Sequence, residues 1–303
     1  MFEGVSIKNF RDKFSTEEDC LSYLVELKWS EGYKCAKCGH DKCYKGRKWH
    51  YRRCQKCYYD ESATAGTIFH KCKLGLLRAF ELAFRISVRK KGMSTCELAK
   101  ELGCQQKSAW LWKTKYQEAM KSSEQHELIG EIEVDEFLVG GFEEGAPGRT
   151  HGQKELVVLA IERVKDKGGN ETIGRAYARV IDDASAESLK EIFTKHIGAD
   201  AKVTTDCWNG YLPLAKDWSI TRIPSKNGAN FKQLHTHIMN IKGWLRGIHH
   251  KCSPERLQSY LNEYHFRFNR RGFMNSIYHK LMVRCILEKP MPYGKLRVCE
   301  VTT

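Results

Sequence analysis

The chain has 303 residues, with 51 Lys and Arg against 37 Asp and Glu, a formal net charge of +14, and 41% hydrophobic residues. That length allows two or three domains, and the absence of an apolar run of transmembrane length points to a soluble protein. The positive field favours a polyanionic partner, nucleic acid ahead of an anionic membrane surface. The start, Met1-Phe2-Glu3-Gly4, lacks the basic-then-apolar profile of an export signal, which points to the cytoplasm; thirteen cysteines there speak for metal ligands and buried thiols rather than disulfides.

Residues 1–30 place Phe14, Leu21, Leu24 and Val25 on one helical face, with Ser15-Thr16-Glu17-Glu18 as a start signal and Trp29 one turn further on. Cys35-Ala36-Lys37-Cys38 and Cys54-Gln55-Lys56-Cys57 follow, with fifteen residues between them. Two such knuckles suit a tetrahedral structural zinc site of Cys35, Cys38, Cys54 and Cys57, with His40 and Cys43 as competitors. Between them Tyr44, Trp49 and Tyr51 alternate with Lys45, Arg47, Lys48, Arg52 and Arg53, as in a small ribbon with a basic face.

Ser62 to Met120 reads as helical. Leu74 to Ile86 fill one helix, Thr95–Leu102 a second that stops at Gly103, and Gln105 opens a third. Helix, short glycine turn and helix is the layout of a helix-turn-helix, with Gln105, Gln106, Lys107 and Ser108 facing DNA and Lys100, Lys113 and Lys115 as basic flanks. Residues 121–128 read as a polar linker. Strands are then expected at Ile132–Val139, ending at Gly140-Gly141, at Leu156–Ile161 and at Thr172–Ile181, with Gly145, Gly148 and Gly152 in the first connection. An amphipathic helix capped by Ser185 leads to a fourth strand, Ala201–Thr205, closed by Asp206. Three antiparallel strands, a helix and a further strand give the order of a ribonuclease-H-like α/β sheet. The expected divisions are 1–61, 62–120, the linker 121–128, a catalytic domain 129–290 and a tail 291–303.

Asp135 and Asp206 are both delivered by strands, and such a pair can bridge divalent Mg²⁺ or Mn²⁺ ions in phosphodiester chemistry. Asn240, thirty-four residues beyond Asp206 on a predicted helix, is the expected third ligand, and His237, one turn earlier, is its rival. Glu133 shares the strand face of Asp135 and is the reserve ligand, whereas Glu136 points the other way. Lys242 and Arg246 would set cationic charge near a phosphate. His249 and His250 suit phosphate or solvent rather than metal.

The paired Cys-x-x-Cys, Ser62-Ala63-Thr64-Ala65-Gly66-Thr67-Ile68-Phe69, Val134-Asp135-Glu136 followed by Gly140-Gly141, Thr205-Asp206-Cys207-Trp208-Asn209-Gly210-Tyr211, Asn240-Ile241-Lys242-Gly243-Trp244-Leu245-Arg246-Gly247 and Phe266-Arg267-Phe268-Asn269-Arg270-Arg271 occur in that order. In this the chain resembles bacterial insertion-sequence transposases that join a zinc ribbon to a ribonuclease-H-like domain of the DDE type, with Asn240 in place of the usual third acid. The resemblance implies cleavage at terminal inverted repeats, strand transfer into target DNA, Mg²⁺ or Mn²⁺ at Asp135, Asp206 and Asn240, DNA contacts from Arg270 and Arg271, and a homo-oligomer on double-stranded DNA at the nucleoid. A zinc-dependent DNA-binding regulator with an inactive nuclease fold, or a stand-alone nuclease, would carry most of the same features.

Overall fold

The computed structural model describes residues 1–140, 154–249 and 252–297. Its helices are α1 (Ile7–Lys13), α2 (Glu17–Lys28), α3 (Leu76–Val88), α4 (Thr95–Leu102), α5 (Gln106–Ala119), α6 (Ala186–His196), α7 (Lys232–Ile248), α8 (Pro254–Phe268), α9 (Met274–Leu287) and α10 (Tyr293–Arg297). Its strands are β1 (Cys43–Lys45), β2 (Tyr51–Cys54), β3 (Asp60–Ser62), β4 (Glu131–Val139), β5 (Glu155–Lys165), β6 (Glu171–Ile181), β7 (Lys202–Thr205) and β8 (Ser219–Arg222). Two compact units result: Met1–Met120 with Phe273–Thr303, and Lys121–Gly272. Gly141, Gly145, Gly148, Gly152, His250 and the end of the expected tail lie outside the described residues.

In the first unit the helix expected to start at Ser15-Thr16-Glu17-Glu18 is α2, and a further helix, α1, precedes it. Thr16 and Asp19 form a capping box that starts α2 afresh, and Phe14 ends α1. Phe14 turns inward among the rings of Phe2, Phe10, Tyr23, Phe80 and Tyr278 in tilted and edge contacts. Helix α9, read from the sequence as part of the 129–290 segment, belongs here, because Tyr278 packs on Phe2, Phe10 and Phe84. The ribbon β1–β2–β3 is antiparallel throughout. It is tied to α2 by Lys28, whose ammonium meets Glu61 at 2.6 Å and the carbonyls of Ser62 and Ala65.

The second unit is built on the five-stranded sheet β6-β5-β4-β7-β8. Strands β4, β5 and β6 are antiparallel neighbours, β7 runs parallel to β4, and β8 runs parallel to β7. Strand β8 was not anticipated; Ser-Ile-Thr-Arg is short and mixed, and it is a strand only because β7 offers it an edge. One face of the sheet, with Ile132, Val134, Val158 and Val203, packs on α6; the other, with Phe137, Val157, Leu159 and Ile161, packs on α7 and α8. Both faces of β5 are therefore covered, which is why Leu156 to Ile161 is an unbroken apolar run. This mixed sheet flanked by helices fits a ribonuclease-H-like domain. The 121–128 segment ends in Leu128, which is fully buried and bridges to Ile197.

Strand β6 is an edge strand, and α8 and the residues after it occupy its free hydrogen-bonding groups. Gln258 accepts from the Val180 N–H and donates to the Ala178 carbonyl, and Asn269 takes both the N–H and the carbonyl of Ala176 at 2.9 Å. Arg271 donates to the carbonyls of Gly174 and Ile173. Among the described residues no helix is long and apolar enough to cross a membrane.

Candidate active site and metal centre

The four cysteines named from the knuckle spacing converge, with their sulfur atoms all within 4.8 Å of one another. Cys35 and Cys57 are 3.5 Å apart and Cys38 and Cys54 are 3.6 Å apart, close to the ~3.8 Å edge of a tetrahedron with ~2.3 Å metal–sulfur arms. His40 and Cys43 stay outside the cluster. Each knuckle turns on a residue in the left-handed region, Gly39 at φ +75° and Tyr58 at φ +56°, whose N–H returns to the carbonyl of Cys35 or Cys54. Desolvation opposes ionisation of Cys35, but the N–H groups of Cys38 and Lys37 outweigh it and bring the thiol down to about 6, toward the thiolate a metal requires. The donor set fits one tetrahedral ion.

In the second unit, Val134 of β4 and Thr205 of β7 are register partners on adjacent parallel strands. Asp135 and Asp206 follow them directly, so the two carboxylates leave neighbouring strands at one level of the sheet, roughly 4.8 Å apart in backbone spacing. Asp135 is buried in mid-strand and its Oδ1 accepts from the Glu136 N–H at 2.8 Å. Asp206 is half-buried and its Oδ1 accepts from the Trp208 N–H at 2.9 Å. The residues after Asp206 brace this corner. The Trp208 indole donates to the Ala184 carbonyl, and a side chain at Gly210 would strike that same oxygen. The Tyr211 hydroxyl donates to Glu136 at 2.5 Å. Burial first, then the charges of Glu136, Asp135 and Asp206, hold the Tyr211 phenol protonated.

Helix α7 supplies a residue that the sequence reading missed. The Nε2 of His235 lies 3.3 Å from Asp135 Oδ2; the atom is shielded and has no hydrogen-bond partner among the described residues, while the side chain as a whole is 41% exposed. Leu234, Ile238, Ile241 and Leu245 form the stripe of α7 that packs on the sheet. At ~100° per residue, His235, Lys242 and Arg246 fall on one flank of that stripe and His237 and Trp244 on the other. Lys242 accordingly stands 5.6 Å from the ring of Phe137, two residues beyond Asp135 on the same strand face.

His237, considered a rival third ligand, is instead buried against α8, with Nε2 3.3 Å from His265 Nε2 and its ring packed on Phe268. Asn240 is exposed, about 140° around the helix from His235, and among the described residues it makes no hydrogen bond to either aspartate. Glu133 shares the face of Asp135 but pairs with Arg163 at 3.3 Å, and burial raises its carboxyl. The cysteines form the one set of three or more metal-binding side chains that already converges among the described residues. Asp135 and His235 are in contact, whereas Asp206 is turned to its own turn amide.

Of the expected DNA-facing side chains, Gln105, Gln106 and Lys107 are exposed at the start of α5 and Ser108 is half-buried. Gly103, at φ +58°, ends α4 and makes the turn between the two helices. Lys113 and Lys115 are not a basic flank. Both are buried; Lys113 donates to the Met93 carbonyl at 2.7 Å, and Lys115 lies on the Trp112 ring. Arg271 is likewise engaged with the β6 carbonyls rather than free for phosphate, and Arg270 stacks on Phe266 and donates to its carbonyl.

Residues 127–269 match the profile of the ISXO2-like transposase domain. The match takes in the whole sheet, both aspartates, α7 and α8, and ends at Asn269, the residue that closes off β6. No curated protein matches the chain.

Proposed function

We propose that this chain, which carries a transposase domain of the ISXO2-like family, is a metal-dependent DNA transposase that cuts phosphodiesters at the terminal inverted repeats of a mobile element and joins the freed 3′-hydroxyl ends to target DNA. The observation that carries this reading is the meeting of Asp135 and His235 at the level of the sheet where the middle of β4 pairs with the end of β7 and Asp206 follows. Two carboxylates and one imidazole nitrogen are a sufficient protein donor set when substrate phosphates complete the shell. His235 thus takes the third place first expected of Asn240. A divalent ion held there supplies Lewis acidity at the scissile phosphate and lowers the pKa of the attacking oxygen.

The remaining roles fall to side chains already placed. Lys242 and Arg246, on the same flank of α7 as His235, set positive charge where the phosphate backbone would lie. Tyr211 and Glu136 hold the corner from the opposite face, so that Asp135 and Asp206 are presented without rearrangement of the strands. The cysteine cluster binds structural zinc, and the Gln105, Gln106 and Lys107 end of α5 reads the duplex in the manner of a helix-turn-helix.

The test is a strand-transfer assay on element-end DNA with Mg²⁺ or Mn²⁺, using Asp135→Ala, Asp206→Ala, His235→Ala and Asn240→Ala, alongside Mn²⁺ binding followed by electron paramagnetic resonance. The first three variants should lose transfer and weaken Mn²⁺ binding, and wild-type Mn²⁺ should show coupling to an imidazole nitrogen. Transfer surviving Asp135→Ala or Asp206→Ala refutes the assignment of the site. Loss with Asn240→Ala but not His235→Ala returns the third place to Asn240.

A further inference from the structure

The ribbon presents a face that none of these roles uses. Tyr44 of β1 and Arg53 of β2 are cross-strand partners, so their side chains rise on the same side of the sheet. The Arg53 guanidinium lies 5.6 Å from the centre of the Tyr58 ring and forms no ion pair among the described residues. Tyr44 and Tyr58 are 56% and 62% exposed. Two phenol rings therefore flank one cation, all open to solvent.

Tyr58 also occupies a backbone position that would suit glycine. Its φ of +56° matches Gly39, at +75°, in the other knuckle, and a side chain there carries a conformational cost that glycine avoids. Burial does not offset that cost, since most of the ring is in solvent. Residues kept in such conformations without packing gain cluster at binding sites. The electrostatic setting is one-sided: residues 33–60 hold nine Lys and Arg against two Asp and no Glu. One of those two, Asp60, already faces Arg47 at 3.6 Å.

We propose that this face binds an unpaired DNA strand, with bases stacking on Tyr44 and Tyr58 and phosphates meeting Arg53 and the neighbouring lysines. A duplex covers its base faces and offers an open ring little beyond its phosphates, for which cations alone suffice; an unpaired strand offers both a charge and a ring to stack on. Stacking of this kind tolerates any sequence, because every base has a π-face. The proposal rests on the reading that the chain acts on DNA ends, where strands are separated or left single.

The experiment uses the full-length, zinc-loaded protein and fluorescence anisotropy with a short labelled oligothymidylate and a duplex of equal length. Tyr58→Gly should keep its zinc and its melting temperature, because glycine suits the left-handed position, yet bind oligothymidylate roughly tenfold more weakly while duplex affinity stays within about twofold. Tyr58→Trp, which keeps a stacking face, should bind the single strand as well as wild type. The proposal is overturned if Tyr58→Gly binds oligothymidylate like wild type, weakens duplex binding equally, or loses zinc. Wild-type protein that binds duplex but not oligothymidylate also overturns it while leaving the transposase reading intact. Failure to bind either probe defeats both.

Discussion

Mild acid should destabilise the sheet unit through His265, by an amount that follows from its surroundings. Burial holds its imidazole down at about 4, against 6.5 for an ordinary histidine. The ring has no room for a second proton: Nδ1–H donates to the Leu261 carbonyl at 2.8 Å, so Nε2 accepts from Nε2–H of His237 at 3.3 Å. Between pH 6.5 and 4 the unfolded chain takes up a proton that the folded chain refuses. Stability from this group is thus fully present above that window and is lost as pH falls through it. At about pH 5 the unfolded group has been favoured over ~1.5 pH units, which at ~1.36 kcal/mol each is about 2 kcal/mol. That is a sizeable share of a net stability of roughly 5–15 kcal/mol. His265→Asn removes the titration and keeps a donor for the Leu261 carbonyl. The assay is urea unfolding followed by hydrogen exchange of peptides spanning β5, which reports the sheet unit separately from the zinc ribbon. Wild type should lose about 2 kcal/mol more than the variant between about pH 7 and about pH 5. His196, held at about 4, and His237, held lower still, both chiefly by burial, act alike in both proteins and cancel. Equal losses in the two proteins would refute the reasoning.

Asn269→Leu should remove both hydrogen bonds to Ala176 and lower stability by roughly 2 kcal/mol, with faster hydrogen exchange in β6 and little change in the zinc ribbon. Chelation of zinc should unfold residues 33–62, seen as loss of exchange protection there, while β4, β5 and β6 stay protected. Lys107→Ala should reduce the salt slope of duplex binding by about one ion, whereas Lys113→Met, its ammonium buried on the Met93 carbonyl, should leave that slope unchanged. A change of slope in the Lys113 variant would mean that α5 presents a different face to DNA.

The cysteine knuckles were legible because their information is local: four cysteines at fixed spacing determine which sulfur atoms can meet. The position of Asp135 and Asp206 in the sheet was legible for a related reason, since each ends or interrupts a run of strand-forming residues whose pairing the order of elements implies. Helix α7 shows where such reading stops. The spacing of His237, Asn240 and Trp244 was sound, but which flank faces the aspartates depends on how Leu234, Ile238, Ile241 and Leu245 settle on the sheet. Had that stripe been taken as the reference, His235 and Lys242 would have stood out as one flank. Lys113 and Lys115 were misjudged because a lysine is by default solvated, and only the tertiary arrangement supplies carbonyls and a tryptophan face for them. The return of α9 to the first unit is equally non-local, joining Tyr278 to rings more than 190 residues earlier.

The side chains that α8 lays along β6 make a counterfeit neighbour for that strand. Gln258, Asn269 and Arg271 answer its outward groups at alternate residues from Gly174 to Val180, the rhythm a sixth strand would follow. Over those residues the outward groups of β6 are occupied, which guards that side of the sheet against edge pairing. A further strand added to this five-stranded sheet is therefore confined to β8 at the far edge.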